Sequence, residues 1–200
     1  NLAWLDGPSI RTTGPDPGPR QSRWNHRQTG VETIAVSPDS RWIATGTRNH
    51  HGVRLWDFAS GQLQWEREVQ WGSQVAFSPD SQSLAATGTD ETWVWAVPNG
   101  EPRWHLPAAA GQRGHWHLNY SPDGKYLAIA RTPYLVQLVR PDSGEEIVAL
   151  QHPHPEYISE IRFSPHGRLL AIVCESGAIQ VWDLDTLRRE LESLRLNWPD

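Results

Sequence analysis

The chain has 200 residues, a net charge of −5, one cysteine and 12 tryptophans. The acidic balance without a basic block argues against nucleic acid as a partner, and a lone cysteine excludes an internal disulfide. No stretch approaches the ~18 apolar residues of a membrane helix, and no secretory leader is read, so a cytoplasmic protein without a membrane span is expected.

Residues 1–27 read as a partial blade and a Pro/Gly-rich loop. Leu2-Ala3-Trp4-Leu5-Asp6 has the pattern of a third strand of the repeat described below, and Trp24 marks a fourth strand. Residues 7–20 between them, with four prolines and three glycines, read as an extended loop. The chain starts at Asn1 and holds no methionine, which suggests a piece of a longer polypeptide.

A period then sets in. Ser37-Pro38-Asp39, Ser78-Pro79-Asp80, Ser121-Pro122-Asp123 and Ser164-Pro165-His166 stand 41, 43 and 43 residues apart. A fixed period of this size marks stacked copies of one supersecondary unit. The phrase itself is a turn, because proline presets φ for its second position and Asp, Ser or Gly suit the next corner. Ile34 and Val36, Val75 and Phe77, Leu118 and Tyr120, and Ile161 and Phe163 precede the four turns on one strand face. Ala44, Ala85, Ala128 and Ala171 follow, each seven residues past the serine, where a small side chain suits the close approach of neighbouring sheets.

The third strands are Val53–Asp57, Thr92–Ala96, Val136–Arg140 and Ile179–Asp183. They are apolar on both alternating sets, as strands covered on both faces are. Gly61, Gly100 and Gly144 turn the chain into fourth strands carrying Trp65, Trp104 and Ile147–Leu150. Four short antiparallel strands in about 42 residues match a propeller blade. The expected division is blade one at 28–70, blade two at 71–110, blade three at 111–154, a three-stranded blade four at 155–183 and a helix at 184–197. The helix rests on Leu184, Leu187, Leu191 and Leu194, with Asp185 as its cap and Arg188 and Glu192 as an exposed pair.

The Trp56-Asp57 and Trp182-Asp183 endings, with the Phe77-Ser78-Pro79-Asp80 turn, resemble the WD-repeat (WD40) propellers over residues 20 to 183. The resemblance implies an all-β WD40-type β-propeller of four recognisable four-stranded antiparallel blades, an incomplete ring, with a short C-terminal α-helix. The Gly-His pair that often opens such a repeat is missing before blades one and two, and Trp-Asp has become Trp95-Ala96 and Val139-Arg140. The side-chain network that the family builds from those residues is therefore expected to be incomplete. The segment 182–198 resembles the tail of large bacterial proteins that join a serine/threonine kinase domain to a WD-repeat propeller. None of the kinase residues is present in this chain.

No nucleophile elbow, phosphate loop, dinucleotide fingerprint or zinc-protease motif occurs, so no catalytic role, cofactor or metal is expected. The pairs His50-His51, His115/His117 and His152/His154 read as solvated loop histidines, since a structural zinc needs four convergent ligands. Cys174 reads as a buried, inert thiol. The recurring tryptophans Trp24, Trp56, Trp65, Trp95 and Trp182 read as core.

The loops opposite the Ser-Pro-Asp turns hold Arg48, His50, His51, Trp71, Arg113, His115, Arg131, Tyr134, His152, His154 and Tyr157. Trp, Tyr and Arg are enriched at interaction hot spots, so this loop face is the expected binding surface. The expected role is a non-catalytic scaffold that binds a protein or peptide there, beside the remaining blades of a parent propeller. Two alternatives stand: a regulatory or sensor segment of a bacterial kinase, and a propeller attached to a hydrolase or peptidase.

Overall fold

A computed structural model describes residues 2–6, 9–13, 25–47, 52–69, 74–88, 91–107, 117–151, 156–196 and 198. They fall into two compact units, Asn1–Pro107 and Ala108–Asp200.

The first unit opens with β1 (Leu2–Asp6), β2 (Ser9–Thr13) and β3 (Asn25–Arg27), a three-stranded antiparallel sheet in that order. The segment expected to be loop therefore contains a strand. Ser9-Ile10-Arg11-Thr12-Thr13 is rich in β-branched residues, which favour extended backbone, and it lies between the Gly-Pro pairs 7–8 and 14–15. It separates β1 from β3, so these are not adjacent as a third and a fourth strand would be. Residues 25–27 pair with β2. Trp24 lies outside the described residues.

Blade one follows as β4 (Val31–Val36), β5 (Trp42–Thr47), β6 (Val53–Asp57) and β7 (Leu63–Arg67). Blade two is β8 (Gln74–Phe77), β9 (Ser83–Thr87), β10 (Glu91–Ala96) and β11 (Pro102–Pro107). Each is a four-stranded meander in sequence order. The strand alternation splits blade one's side chains between two clusters. Ala44, Leu55 and Trp65 join Val75, Phe77, Leu84 and Trp95 of blade two in one core. Ile43, Trp56 and Phe58 bury on the other face with Ile34 and Val36.

The second unit holds blade three, β12 (Leu118–Tyr120), β13 (Leu127–Thr132), β14 (Leu135–Val139) and β15 (Glu146–Gln151), another four-stranded meander. Its last sheet, β16 (Ile158–Phe163), β17 (Leu169–Cys174) and β18 (Ile179–Asp183), has three strands. Ala128, Leu138 and Leu150 of blade three pack with Ile161, Leu170 and Ile172 of blade four. Ala44, Ala85 and Ala128 are fully buried, whereas Ala171 is only half-buried. Ile179 and Val181 of β18 are exposed.

Helix α1 (Leu184–Ser193) ends earlier than the apolar spacing suggested. Its cap is Asp183, not Asp185: the Asp183 carboxylate accepts from the Thr186 amide at 3.1 Å. The strand's terminal Asp thus also starts the helix, while Asp185 sits in the first turn, where a negative charge suits the helix dipole. Leu184, Leu187 and Leu191 pack on the second core. Beyond the helix, Trp198 is buried and meets Tyr126 edge-on at 6.0 Å, with its indole N–H donating to the Tyr126 hydroxyl at 3.3 Å.

Candidate binding surfaces

The Ser-Pro-Asp turns are built alike. Ser37, Ser78 and Ser121 each donate Oγ–H to the Asp two residues on, at 2.5–2.6 Å. Each Oγ also accepts the amide of the residue five positions on, at 2.9 Å. In the fourth copy Ser164 keeps the second bond, from the Leu169 amide at 3.0 Å, but His166 replaces the aspartate. The fourth residue of every turn has positive φ, at Ser40, Ser81, Gly124 and Gly167. Ser37, Ser78 and Ser121 are structural: both polar functions of each hydroxyl are spent on the turn.

Behind the turns, the expected side-chain network survives in blade one alone among the described residues. The Trp56 indole N–H donates to Thr45 Oγ1 at 3.1 Å, and the Thr45 hydroxyl donates to Gln28 Oε1 at 2.8 Å. Gln28, 2% exposed, supplies the acceptor that the missing Gly-His pair would have carried. The residues matching Thr45, eight past each serine, are Ala86, Ile129 and Ile172 elsewhere. Trp182 Nε1 is accordingly buried without a hydrogen-bond partner.

Blades one and two are joined through aromatics. The Trp65 indole donates to the Pro98 carbonyl at 2.8 Å, Arg67 lies over the Trp65 ring at 5.4 Å, and Arg67 donates to the Gly100 carbonyl at 3.0 Å. Trp65 also meets Trp95 at 5.8 Å, and Trp93 stacks on His105 at 4.0 Å. Trp56, Trp65 and Trp95 are buried as their recurrence suggested, whereas Trp182 is half-buried.

Of the loop-face residues, Arg48, His50, His51, Trp71, Arg113, His115, His152 and His154 lie outside the described residues. Arg131, Tyr134 and Tyr157 are described. The Ile158 amide donates to the Pro133 carbonyl at 3.1 Å, which brings the β13–β14 turn holding Tyr134 against the start of β16 beside Tyr157. Tyr157 is 55% exposed, and Tyr134 and Arg131 are half-buried. Burial pushes the Arg131 guanidinium below its usual value, with the Glu146 charge opposing. Near this edge, Ser176 donates to the Glu156 carboxylate, and burial first, then Glu156, pushes the Cys174 thiol up. Among the described residues no three His, Cys, Asp or Glu side chains converge as metal ligands, and no helix is long and apolar enough to cross a membrane.

The family model "WD domain, G-beta repeat" matches residues 19–57 and 145–183, the stretches that end in Trp56-Asp57 and Trp182-Asp183. Two stretches of the chain match WD40 repeats. Its fold is of the all-β WD40 β-propeller class, with a short helix after the last blade. Curated WD-repeat relatives agree. The WD repeat-containing protein SL1-17 of Schistosoma mansoni is 26% identical over 82% of this chain and 54% of its own length. The Target of rapamycin complex subunit LST8 of Rattus norvegicus is 25% identical over 76% and 49%. The human DDB1- and CUL4-associated factor 10 is 34% identical over 40% of this chain and 14% of its own. The chain thus spans about half the length of the first two. Two solved structures share the fold at low identity. The computationally designed Ika4 protein has a TM-score of 0.65 at 15% identity, over 79% of this chain and 93% of its own. Kuenenia stuttgartiensis hydrazine synthase has a TM-score of 0.68 at 18% identity, over 78% and 47%.

Proposed function

We propose that this WD40 segment is a non-catalytic interaction scaffold that holds a protein or peptide on the loop edge of blades three and four. The observation that carries this reading is the Pro133–Ile158 bond, which gathers Tyr134, Arg131 and the exposed Tyr157 at one edge. An aromatic ring with a polar tip beside a guanidinium is the composition of an interaction hot spot. Two relatives support the role by name, one as a subunit of a complex and one as an associated factor. His152 and His154 precede Tyr157 in the same connection by sequence, and this reading includes them.

The test is selection of displayed random peptides on the chain, followed by titration against Tyr134→Ala/Tyr157→Ala. Enriched peptides should lose binding to the double variant while its circular dichroism stays that of the parent. Equal binding to both proteins would remove this edge as the site.

A second reading, a regulatory segment of a kinase-bearing parent, rests on the tail resemblance. The docking of Trp198 on Tyr126 favours it, because it ties the tail to blade three. Co-expression with an upstream kinase domain, comparing its activity with and without residues 184–200, tests that reading.

A further inference from the structure

The last blade stops one strand short. In blades one, two and three the third strand, β6, β10 or β14, is flanked on its outer side by an antiparallel fourth strand. In blade four the order is β16-β17-β18, and among the described residues no strand pairs with the outer side of β18. The chain beyond β18 does not return there as a strand. Asp183 caps α1 at once, and Leu184, Leu187 and Trp198 pack on the second core. A sheet edge of this kind presents a row of main-chain donors and acceptors with which another strand can pair.

The complete blades show what occupies such an edge. Opposite the recurring alanine of the second strand stand Leu55, Val94, Leu138 and, in blade four, Val181. The first three are fully buried, and each faces an apolar residue of its fourth strand: Trp65, Trp104 and Val148. Two residues further along that strand, Leu106 of blade two faces Thr92, and Leu150 of blade three faces Val136. Thr92 and Val136 are buried as well. In blade four the corresponding Val181 and Ile179 are 58% and 68% exposed.

The edge is also unguarded. The strands that end the complete blades carry residues that discourage further pairing: Glu66 and Arg67 in β7, Pro102, Arg103 and Pro107 in β11, and Glu146 in β15. β18 has no proline, lysine or arginine, and it pairs with β17 without a register shift. Its one charge, Asp183, is engaged by Arg168 and the Thr186 amide.

We propose that the outer edge of β18 takes up an extended segment of a partner protein as the fourth strand of blade four. The segment runs antiparallel to β18, with a large apolar residue opposite Val181 and a second apolar residue, two positions on, opposite Ile179. Main-chain hydrogen bonds supply the affinity of such strand addition, and the alternate side chains supply its selectivity. β17 lies between this edge and β16, the strand that follows Tyr157. The proposal does not rest on the loop edge.

The chain's own outer strands serve as probes. Fluorescein-labelled peptides with the sequences of residues 61–68, 100–107 and 144–151 are titrated against the full chain and followed by anisotropy. At least one should bind, and Val181→Lys should weaken it at least about tenfold. Val181 is exposed, so the melting temperature of that variant should stay that of the parent. In the binding peptide, N-methylation of one alternate set of amides should abolish binding and that of the other set should not, because only one set faces β18. Tyr157→Ala should bind the peptide as the parent does. Failure of all three peptides to bind, unchanged affinity in Val181→Lys, or equal binding by the two methylated forms overturns the proposal. Loss of binding in Tyr157→Ala overturns it in favour of the loop edge. A dimer in sedimentation that Val181→Lys disperses overturns it in favour of a second copy of the chain as the occupant.

Discussion

The backbone amide of Asp39 donates to the Ser81 hydroxyl at 3.0 Å, across 42 positions of the chain. The turn of blade one is thereby stitched to the equivalent turn of blade two. Asp123 and Gly167 stand in similar proximity between blades three and four, since a Cβ on Gly167 would lie 3.6 Å from the Asp123 carboxyl. The repeated phrase does two things: it closes its own hairpin and touches its neighbour's.

Ser40 and Ser81 share left-handed backbone, at φ of 59° and 62°, but the inter-turn bond is accepted by Ser81. Ser40→Gly should be near neutral, because relief of roughly 1–2 kcal/mol of left-handed strain is offset by the greater freedom of the unfolded chain. Ser81→Gly carries the same backbone terms and also loses a hydrogen bond of about 1 kcal/mol. Urea denaturation should place it below Ser40→Gly by that difference. Equal stabilities would show that the inter-turn bond contributes nothing.

Thr45 links Trp56 to Gln28. Thr45→Val keeps the shape and removes the hydroxyl, leaving the buried Gln28 oxygen without that donor, at a cost of about 1–3 kcal/mol. Blade four offers the reverse experiment. Ile172 stands where Thr45 does, and Trp182 Nε1 has no partner. Ile172→Thr should therefore destabilise the chain less than Ile161→Thr, although both isoleucines are buried in the same core. Equal losses would show that no bond forms to Trp182.

Gly100 has φ of +71°, and a Cβ there would lie 2.9 Å from Cδ1 of Trp65. Gly100→Ala combines left-handed strain with overpacking and should cost about 2–4 kcal/mol. Gly124 has φ of +73° and open space around it. Gly124→Ala should show the backbone cost alone, roughly 1–2 kcal/mol. Thermal melts of the two variants separate the terms, and a matching shift in both would argue against the close docking of this turn on Trp65.

Asp183 is held well below the usual carboxylate range, to about 2, first by the Arg168 hydrogen bond and then by the Thr186 amide. A depressed folded pKa means that the stabilisation is complete above the unfolded value near ~4 and is lost as pH falls toward 2. Stability should decline over that window, and Asp183→Asn should flatten the decline by removing the titrating group. An unaltered acid slope in the variant would place the sensitivity elsewhere.

Much of this architecture was legible in the order of residues. The serine period placed blades one to three, the three strands of the last sheet and the burial of Trp56, Trp65 and Trp95. What it missed were features without a second copy. The strand Ser9–Thr13 has no repeat to announce it, and its prolines and glycines are flanking, not internal. Gln28 carries no signal of its own, because the family pattern has an imidazole in this role, whereas the site requires only a buried acceptor. Asp183 was read as the end of a strand, although Thr186 three residues on completes a capping geometry. The binding surface was harder still. The loop face depended on eleven side chains, of which Arg131, Tyr134 and Tyr157 are described.

The third strand of each complete blade slips register against the outer strand at one recurring place: Leu55/Trp56, Val94/Trp95 and Leu138/Val139. The irregularity begins and ends within a single copy, so neighbours never inherit it. Gain or loss of a whole repeat therefore leaves the surviving pairings intact, whereas deletion of one residue inside an outer hairpin reverses every side chain beyond it. Lineages of such chains should differ by entire modules far more readily than by single-codon gaps in their strands.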